Sequence, residues 1–254
     1  MRVWKNKKHK AMKIEYAFLC HCGNVRSENQ DNIILIADGN IKTGKNDIEI
    51  KGSGMSRKSV TCGVFDGMGG MSKGETASAI AVDVIKANEE KIESEENSIK
   101  TLFEKVNEEI DDYRTINRIA DMGTTGVMAI VNDSEFVFGN IGDSRLYFFE
   151  KNKLTQVSID HTLKHPYTGK RFLVQYLGMN SEYAIEPCLG KHSTIAGNEI
   201  LLCSDGLTDC LSDKEIEEIL CHSNEVEKQM QEFKDTVLKR DAKDNISIIL
   251  CRWE

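Results

Sequence analysis

The stretch Gly126-Val-Met-Ala-Ile-Val-Asn-Asp-Ser-Glu-Phe-Val-Phe-Gly-Asn-Ile141 decides the fold class of this 254-residue chain. Its two apolar runs, 127–131 and 136–141, are joined by Asn132-Asp133-Ser134 and read as a β-hairpin. Upstream of it, two helical periodicities follow one another with no strand between them. Residues 74–88 place Ala77, Ile80, Ala81, Val84 and Ile85 on one face, and a second run over residues 99–118 does the same with Leu102, Phe103, Val106 and Ile110. Short β-branched runs at 14–20, 33–37, 59–65, 145–149, 199–203 and 246–251, bounded by Gly, Asn or Asp, read as further strands. Two more helices are expected near the C-terminus. One is opened by the capping residues Ser212-Asp213-x-Glu215, and the other covers 225–239. Paired helices set between antiparallel strands argue against alternating βαβ units. They predict an α+β fold with helices layered on antiparallel sheets. Residues 39–56 and 160–181 are polar, rich in turn formers, and read as irregular.

Composition narrows the function classes. With 40% hydrophobic and 29% charged residues the chain matches ordinary globular proteins and can bury a real core. A net charge of −8 argues against non-specific nucleic-acid binding, which needs a basic face. Only two prolines occur and no Ser/Gly/Pro-rich linker divides the chain, so a basic tail at 1–13 followed by one domain at 14–254 is the simplest organisation. The leader lacks a signal peptide's apolar core, and no apolar stretch approaches the ~20 residues that span a bilayer. Eight cysteines without a CxxC pair, three of them (Cys62, Cys203, Cys251) in or beside apolar runs, indicate buried thiols in a reducing cytoplasm. Cys20-His21-Cys22 is a weak metal signal that strand packing explains as well.

Four acids share one local setting. Asp66 ends a strand and is followed by Gly67-Met68-Gly69-Gly70; Asp205 ends another and is followed by Gly206; Asp244 and Asp31 each precede a strand. Carboxylates at strand ends are held rigidly while their heads stay near solvent, which hard divalent cations require of oxygen ligands. Glycine beside such an acid lets a backbone carbonyl approach a metal. An Asp-Gly pair is equally a plain turn former, and spacing alone leaves both readings open. Arg26, just before Asn29-Gln30-Asp31, has a guanidinium able to grip phosphate oxygens, although surface arginines are common.

Two rival motifs are weaker. Cys20-His-Cys-Gly-Asn-Val-Arg26-Ser27 fits the C-x5-R-S pattern of cysteine-dependent tyrosine phosphatases, but residues after Glu28 run into a strand, where that chemistry needs a helix N-terminus. Asp205-Gly-Leu-Thr208 is reminiscent of D-x-D-x-T, yet Leu207 stands where the second carboxylate must be.

Six segments in order resemble the metal-dependent type-2C protein phosphatases, the PPM family, and most closely its compact bacterial branch. They are Gly23-Asn-Val-Arg-Ser-Glu-Asn-Gln-Asp31, Val64-Phe-Asp-Gly-Met-Gly-Gly70 with Gly74-Glu75, Met122-Gly-Thr-Thr125, Gly139-Asn-Ile-Gly-Asp-Ser-Arg145, Leu202-Cys-Ser-Asp-Gly-Leu-Thr-Asp209 and Asp244-Asn-Ile-Ser247. The resemblance implies a four-layer α-β-β-α sandwich, two mainly antiparallel sheets flanked by helix pairs. It implies hydrolysis of phosphoserine and phosphothreonine in proteins by a metal-activated water at a binuclear Mn2+ or Mg2+ centre. Asp66 would bridge the two ions and the Gly67 carbonyl would bind one of them; Asp205 and Asp244 would complete the first ion's shell, and Asp31 would hold ligand water at the second. Arg26 would bind the substrate phosphate, and Asp121 would ligate a third ion, if it is not an ordinary turn aspartate. Asp143 would hold its hairpin through hydrogen bonds. Neither Met68 nor Met71 is a histidine, so no protein general acid is assigned.

The implied partners are phosphorylated proteins, targets of a Ser/Thr kinase; no nucleic acid and no membrane span are expected, and the chain is expected to be a monomer. Residues 162–176 replace a longer flap in bacterial relatives and carry Lys164, His165, Lys170 and Arg171, a positive patch suited to an anionic substrate. Two alternatives stand beside this function. One is a phosphohydrolase for small phosphorylated metabolites, and the other is a catalytically inactive phosphatase fold used for binding.

Overall fold

The structure is a computed structural model that describes residues 13–44, 49–68, 73–180 and 182–254. The leader at 1–12 and the loop residues Gly69, Gly70 and Met71 lie outside the described residues. In chain order, β1 (Ile14–His21), β2 (Asp31–Ala37), β3 (Asn40–Thr43), β4 (Glu49–Ser56) and β5 (Val60–Asp66) precede the helices α1 (Gly74–Ala87) and α2 (Glu96–Ile116). The meander β6 (Gly126–Val131), β7 (Glu135–Ile141), β8 (Arg145–Glu150) and β9 (Lys153–Gln156) follows. After the short hairpin β10 (Thr162–Lys164) and β11 (Arg171–Leu173) come β12 (Cys188–Ser193) and β13 (Glu199–Cys203). The helices α3 (Asp205–Thr208), α4 (Asp213–His222) and α5 (Val226–Lys239) then lead into β14 (Ile246–Trp253).

Two six-stranded sheets, ordered β4-β1-β14-β13-β8-β9 and β12-β7-β6-β5-β2-β3, are antiparallel throughout. Three apolar layers weld them together. Ile33, Leu35, Val64, Val127, Ala129, Ile249 and Trp253 fill the space between the sheets. Leu19, Leu201, Ile248 and Leu250 point outward to α4 and α5, where Ile216, Leu220 and Phe233 meet them. Ile34, Phe65, Met128 and Ile130 point outward from the other sheet to α1 and α2, against Ala81, Ile85, Phe103 and Ile110. The α-β-β-α sandwich and the α+β class are therefore as expected. Because inner strands are covered on both faces, successive residues are apolar although they point opposite ways, so these strands read as runs and not as alternation.

The helices follow from their own residues. α2 buries Ile99, Leu102, Phe103, Val106 and Ile110, spaced three or four apart. α4 starts at the expected capping box, with Ser212 Oγ accepting from the Glu215 N–H and Glu215 accepting from the Ser212 N–H. Among the described residues, no helix is long and apolar enough to cross a membrane.

The structure corrects the reading of the polar segments. Residues 39–56 contain β3 and β4, and residues 160–181 contain the hairpin of β10 and β11. In β4 the inward positions opposite Phe18 and Tyr16 are Gly52 and Gly54. A Cβ on Gly52 would lie 2.7 Å from the Phe18 ring, so the partner strand's aromatics supply the apolar cover that β4 lacks. β9 and β12, also unforeseen, lie at sheet edges and are only partly buried. Ile14 opens β1, and Lys13 before it pairs with Glu254 (N···O 2.8 Å in both directions).

Candidate metal centre

Strand register builds the site. Asp31 is the first residue of β2 and Asp66 the last of β5, and the two are direct cross-strand partners. Like charges placed opposite one another destabilise a sheet. Asp205 enters from the other sheet as the first residue of α3, directly after β13 and Ser204, and Asp244 lies two residues before β14. Ser204 ties the sheets together where they meet: its Oγ donates to Asp31 Oδ2 at 2.8 Å and accepts from the Ser247 N–H at 3.0 Å.

The chain around Asp66 is fixed just as closely. Its N–H donates to Thr125 Oγ1 (3.2 Å), while its carbonyl accepts from Thr124 Oγ1 (2.8 Å) and the Thr125 N–H (2.9 Å). This gives the Met122-Gly-Thr-Thr125 segment its physical role. Gly67 follows; a Cβ there would lie 2.6 Å from the Gln30 carbonyl, which accepts the Gly67 N–H at 3.1 Å. Only glycine fits this close approach.

Electrostatics confirm that the acids are neighbours. Burial pushes Asp66 well above the ordinary carboxylate range, and the charges of Asp31 and Asp205 push it further. Asp205 is raised by burial first and then by Asp143. Asp31 is raised by burial, opposed by hydrogen bonds from Ser204 and Ser247. Asp66 and Asp205 share a hydrogen bond that favours the proton on Asp66. Arg26 reaches the same cluster: its Nη2 lies 2.7 Å from Asp244 Oδ2, and Asp66 and Asp205 act on its charge.

Asp31, Asp66, Gly67, Asp205, Asp244 and Arg26 thus converge at one end of the sandwich. As they stand, no three His, Cys, Asp or Glu side chains among the described residues close on a single ion position. Asp66 turns to Asp205, Asp31 to Ser204 and Asp244 to Arg26. The donor set nevertheless fits a hard divalent cation: it is all oxygen, and Asp31 Oδ1 is buried with no hydrogen-bond partner among the described residues. Asp121 is exposed and lines a separate cleft of about 220 Å3 with Arg114, Tyr176 and Tyr183. The Cys20 thiol is buried and pushed up to about 12, chiefly by burial, which is the opposite of an attacking thiolate. The chain beyond Asn29 enters β2, so the cysteine-phosphatase reading fails.

A family model described as "Protein phosphatase 2C" matches residues 52–250. This chain belongs to the protein phosphatase 2C family. It is 32% identical over 208 residues to the serine/threonine phosphatase stp of Listeria monocytogenes, an alignment covering 74% of this chain and 82% of that protein. Its fold superposes on the serine/threonine phosphatase Stp1 from Staphylococcus aureus with a TM-score of 0.78, at 25% identity and 94% coverage of both chains. The catalytic domain of the phosphatase PstP, solved in complex with two manganese ions, shares the fold (TM-score 0.74, 23% identity, 95% of this chain and 99% of that one).

Within this 2C frame, sequence reasoning missed three contributors. Ser204 lay inside the quoted Leu202–Asp209 text, but its bond to Asp31 crosses between sheets and has no local signal. Asp143 was expected to hold its hairpin through hydrogen bonds; its carboxylate bonds its own backbone, and its charge also raises Asp66 and Asp205, while His161 backs the turn, its Nδ1 accepting from the Gly142 N–H (3.1 Å) and its backbone N–H donating to the Gly142 carbonyl (2.8 Å). Asn245, the third, binds the segment that carries Arg26.

Proposed function

We propose that this chain is a metal-dependent protein serine/threonine phosphatase, working through a binuclear centre at the end of the sandwich. The observation that carries the reading is the buried Asp31–Asp66 cross-strand pair, with Asp205 beside it and one Asp31 oxygen left without a partner. Burying like charges is costly unless something offsets them. Asp31, Asp66, the Gly67 carbonyl, Asp205 and Asp244 would hold two manganese or magnesium ions. Such ions, when bound, lower the pKa of water between them and neutralise charge on a phosphoryl group.

The chain's own residues do the rest. Asp66, flanked by Asp31 and Asp205, would serve both ions, and Thr124 and Thr125 hold its backbone. Arg26 is half-exposed and anchored by Asp244, so its guanidinium can take phosphate oxygens without swinging away. Asp121, in its separate cleft, would serve a third ion. The basic hairpin with Lys164, Lys170 and Arg171 would favour phosphorylated protein segments, the products of a Ser/Thr kinase, over small esters. Eight free thiols suit a cytoplasmic enzyme, acting as a monomer.

The test is hydrolysis of p-nitrophenyl phosphate with manganese, with and without EDTA, by wild type and Asp66→Ala. Activity should vanish on chelation, return with manganese, and be lost in the variant. Activity that survives both treatments ends the metal reading. Turnover of phosphothreonine peptides against sugar phosphates separates protein from metabolite substrates, and faster sugar-phosphate hydrolysis would overturn the substrate class.

A further inference from the structure

Asn245 is buried, and all of its side-chain polar capacity is directed at one segment, residues 22–30. Nδ2 donates to the Cys22 carbonyl at 2.8 Å and to the Glu28 carbonyl at 3.0 Å, one on each side of Arg26. Oδ1 accepts the Gln30 N–H at 2.9 Å. The Gln30 carbonyl in turn accepts from the Gly67 N–H (3.1 Å) and Ser78 Oγ (2.7 Å). The Asn245 backbone N–H donates to Asp244 Oδ1 at 2.9 Å, and Asp244 Oδ2 is the oxygen that Arg26 grips.

We infer that Asn245 is a positioning residue for phosphate binding, fixing the loop of Arg26 against Asp244 and, through Gln30, against Gly67. The inference rests on the reading that Arg26 binds the substrate phosphate. A carboxamide is the only side chain of this size with two donors and one acceptor in a plane. Aspartate lacks both donors, and alanine removes the side-chain partner of the buried Cys22 carbonyl, the part-buried Glu28 carbonyl and the Gln30 N–H. Other bonds hold the loop before and beside Arg26: the Asn24 N–H donates to the Ala242 carbonyl and its Nδ2 to the Leu238 carbonyl, both at 2.8 Å, and Cys22 Sγ donates to the Arg26 carbonyl at 3.2 Å. Without Asn245 the part of the loop after Arg26 loses its bonds at the Glu28 carbonyl and the Gln30 N–H, and the guanidinium no longer has one fixed position.

The experiment is a double-mutant cycle on manganese-loaded protein, reading the dissociation constant for inorganic phosphate by calorimetry. Arg26→Ala should weaken phosphate binding at least tenfold. Asn245→Ala should weaken it about tenfold, the loss expected from buried hydrogen bonds, and add less than twofold in the Arg26→Ala background. Two effects that multiply, or an unchanged constant in Asn245→Ala, would show that Asn245 supports the fold and nothing more, and the inference falls. An unchanged constant in Arg26→Ala is a separate failure, of the Arg26 assignment itself. Should Asn245→Ala not fold, Asn245→Ser, which keeps one donor, takes its place with the same expectations. If neither folds, Asn245 is a folding residue and the inference is overturned.

Discussion

Removing one hydroxyl at Ser204 should cripple ion binding while leaving the sandwich intact. In Ser204→Ala the 2.8 Å bond to Asp31 Oδ2 disappears, and Asp31 Oδ1 has no hydrogen-bond partner to compensate. A hydrogen bond to an ionised group contributes about 1.5–3 kcal/mol, and every 1.4 kcal/mol is tenfold in affinity. The manganese-binding step that depends on Asp31 should therefore weaken about 10- to 100-fold, the range usual for groups that hold a ligand in place. The Ser247 N–H also loses its acceptor. A buried donor left unpaired costs about 1–3 kcal/mol, so Tm should fall by roughly 2–12 °C, at about 2–4 °C per kcal/mol for a chain of this size. Calorimetric titration with manganese measures the first effect and thermal unfolding of the metal-free protein the second. Asp31→Asn identifies which binding step is at stake, and Ser204→Thr, which keeps the hydroxyl, should recover most of the affinity. A manganese constant within twofold of wild type in Ser204→Ala would refute the idea that Ser204 holds Asp31 for the ion.

Two other predictions concern places away from the acids. Glu199 is buried beside Arg252 (2.6 Å) and Gln229 (3.0 Å), and burial outweighs both partners, pushing it up from 4.5 to about 7. The folded protein thus binds this proton more tightly than the unfolded chain does. The stabilisation is full below pH 4.5 and is lost as pH rises through about 7. At about 1.4 kcal/mol per pH unit the loss is on the order of 3 kcal/mol. Urea unfolding at pH 5 and pH 8 should show that Glu199→Gln flattens this slope; an unchanged slope would assign it elsewhere. On the basic hairpin, Lys170→Gln with Arg171→Gln should raise KM for a phosphothreonine peptide about 3- to 10-fold, from two exposed charges at up to about 1 kcal/mol each. Arg171 is partly committed to Asp160 (3.9 Å), so Lys170 should contribute more. KM for p-nitrophenyl phosphate should stay within twofold, and equal rises for both substrates would remove the hairpin from peptide recognition.

What could be read from the sequence follows from burial. β2, β5, β6, β13 and β14 lie inside the sheets with both faces covered, so each announces itself as an apolar run between turn residues. β3, β4, β9 and β12 are edge or near-edge strands with half-exposed, polar sequences; their evidence is the partner strand, not their own residues. The acids were legible for a different reason: each sits beside glycine or at a strand end, a local mark that survives in one dimension. Their meeting was not legible, because it depends on register. A one-residue slip of β2 against β5 would turn Asp31 away from Asp66. Ser204 and Asn245 were visible only as letters in a motif, since their partners lie 173 residues away at Asp31 and 217 to 223 away at Glu28 and Cys22.

The same register also explains why the site is unstable on its own terms. Asp31 faces Asp66 across a ladder that every hydrophobic contact in three cores works to keep aligned, so the repulsion cannot relax by slipping. The surrounding polar groups neutralise part of it: Ser204 donates to Asp31, and Arg26 holds Asp244. They leave Asp31 Oδ1 unpaired and Asp66 favouring its proton. Another arginine or asparagine in that space would have satisfied both and made the chain more stable, at the expense of a place for cations. At the proposed centre, cations would take the place that these missing partners leave, and a ligand that binds only the folded state adds its binding energy to stability. On the proposed reading stability and activity are opposed at this one end of the molecule, and the inner strands, covered on both faces, supply the stability that tolerates the conflict.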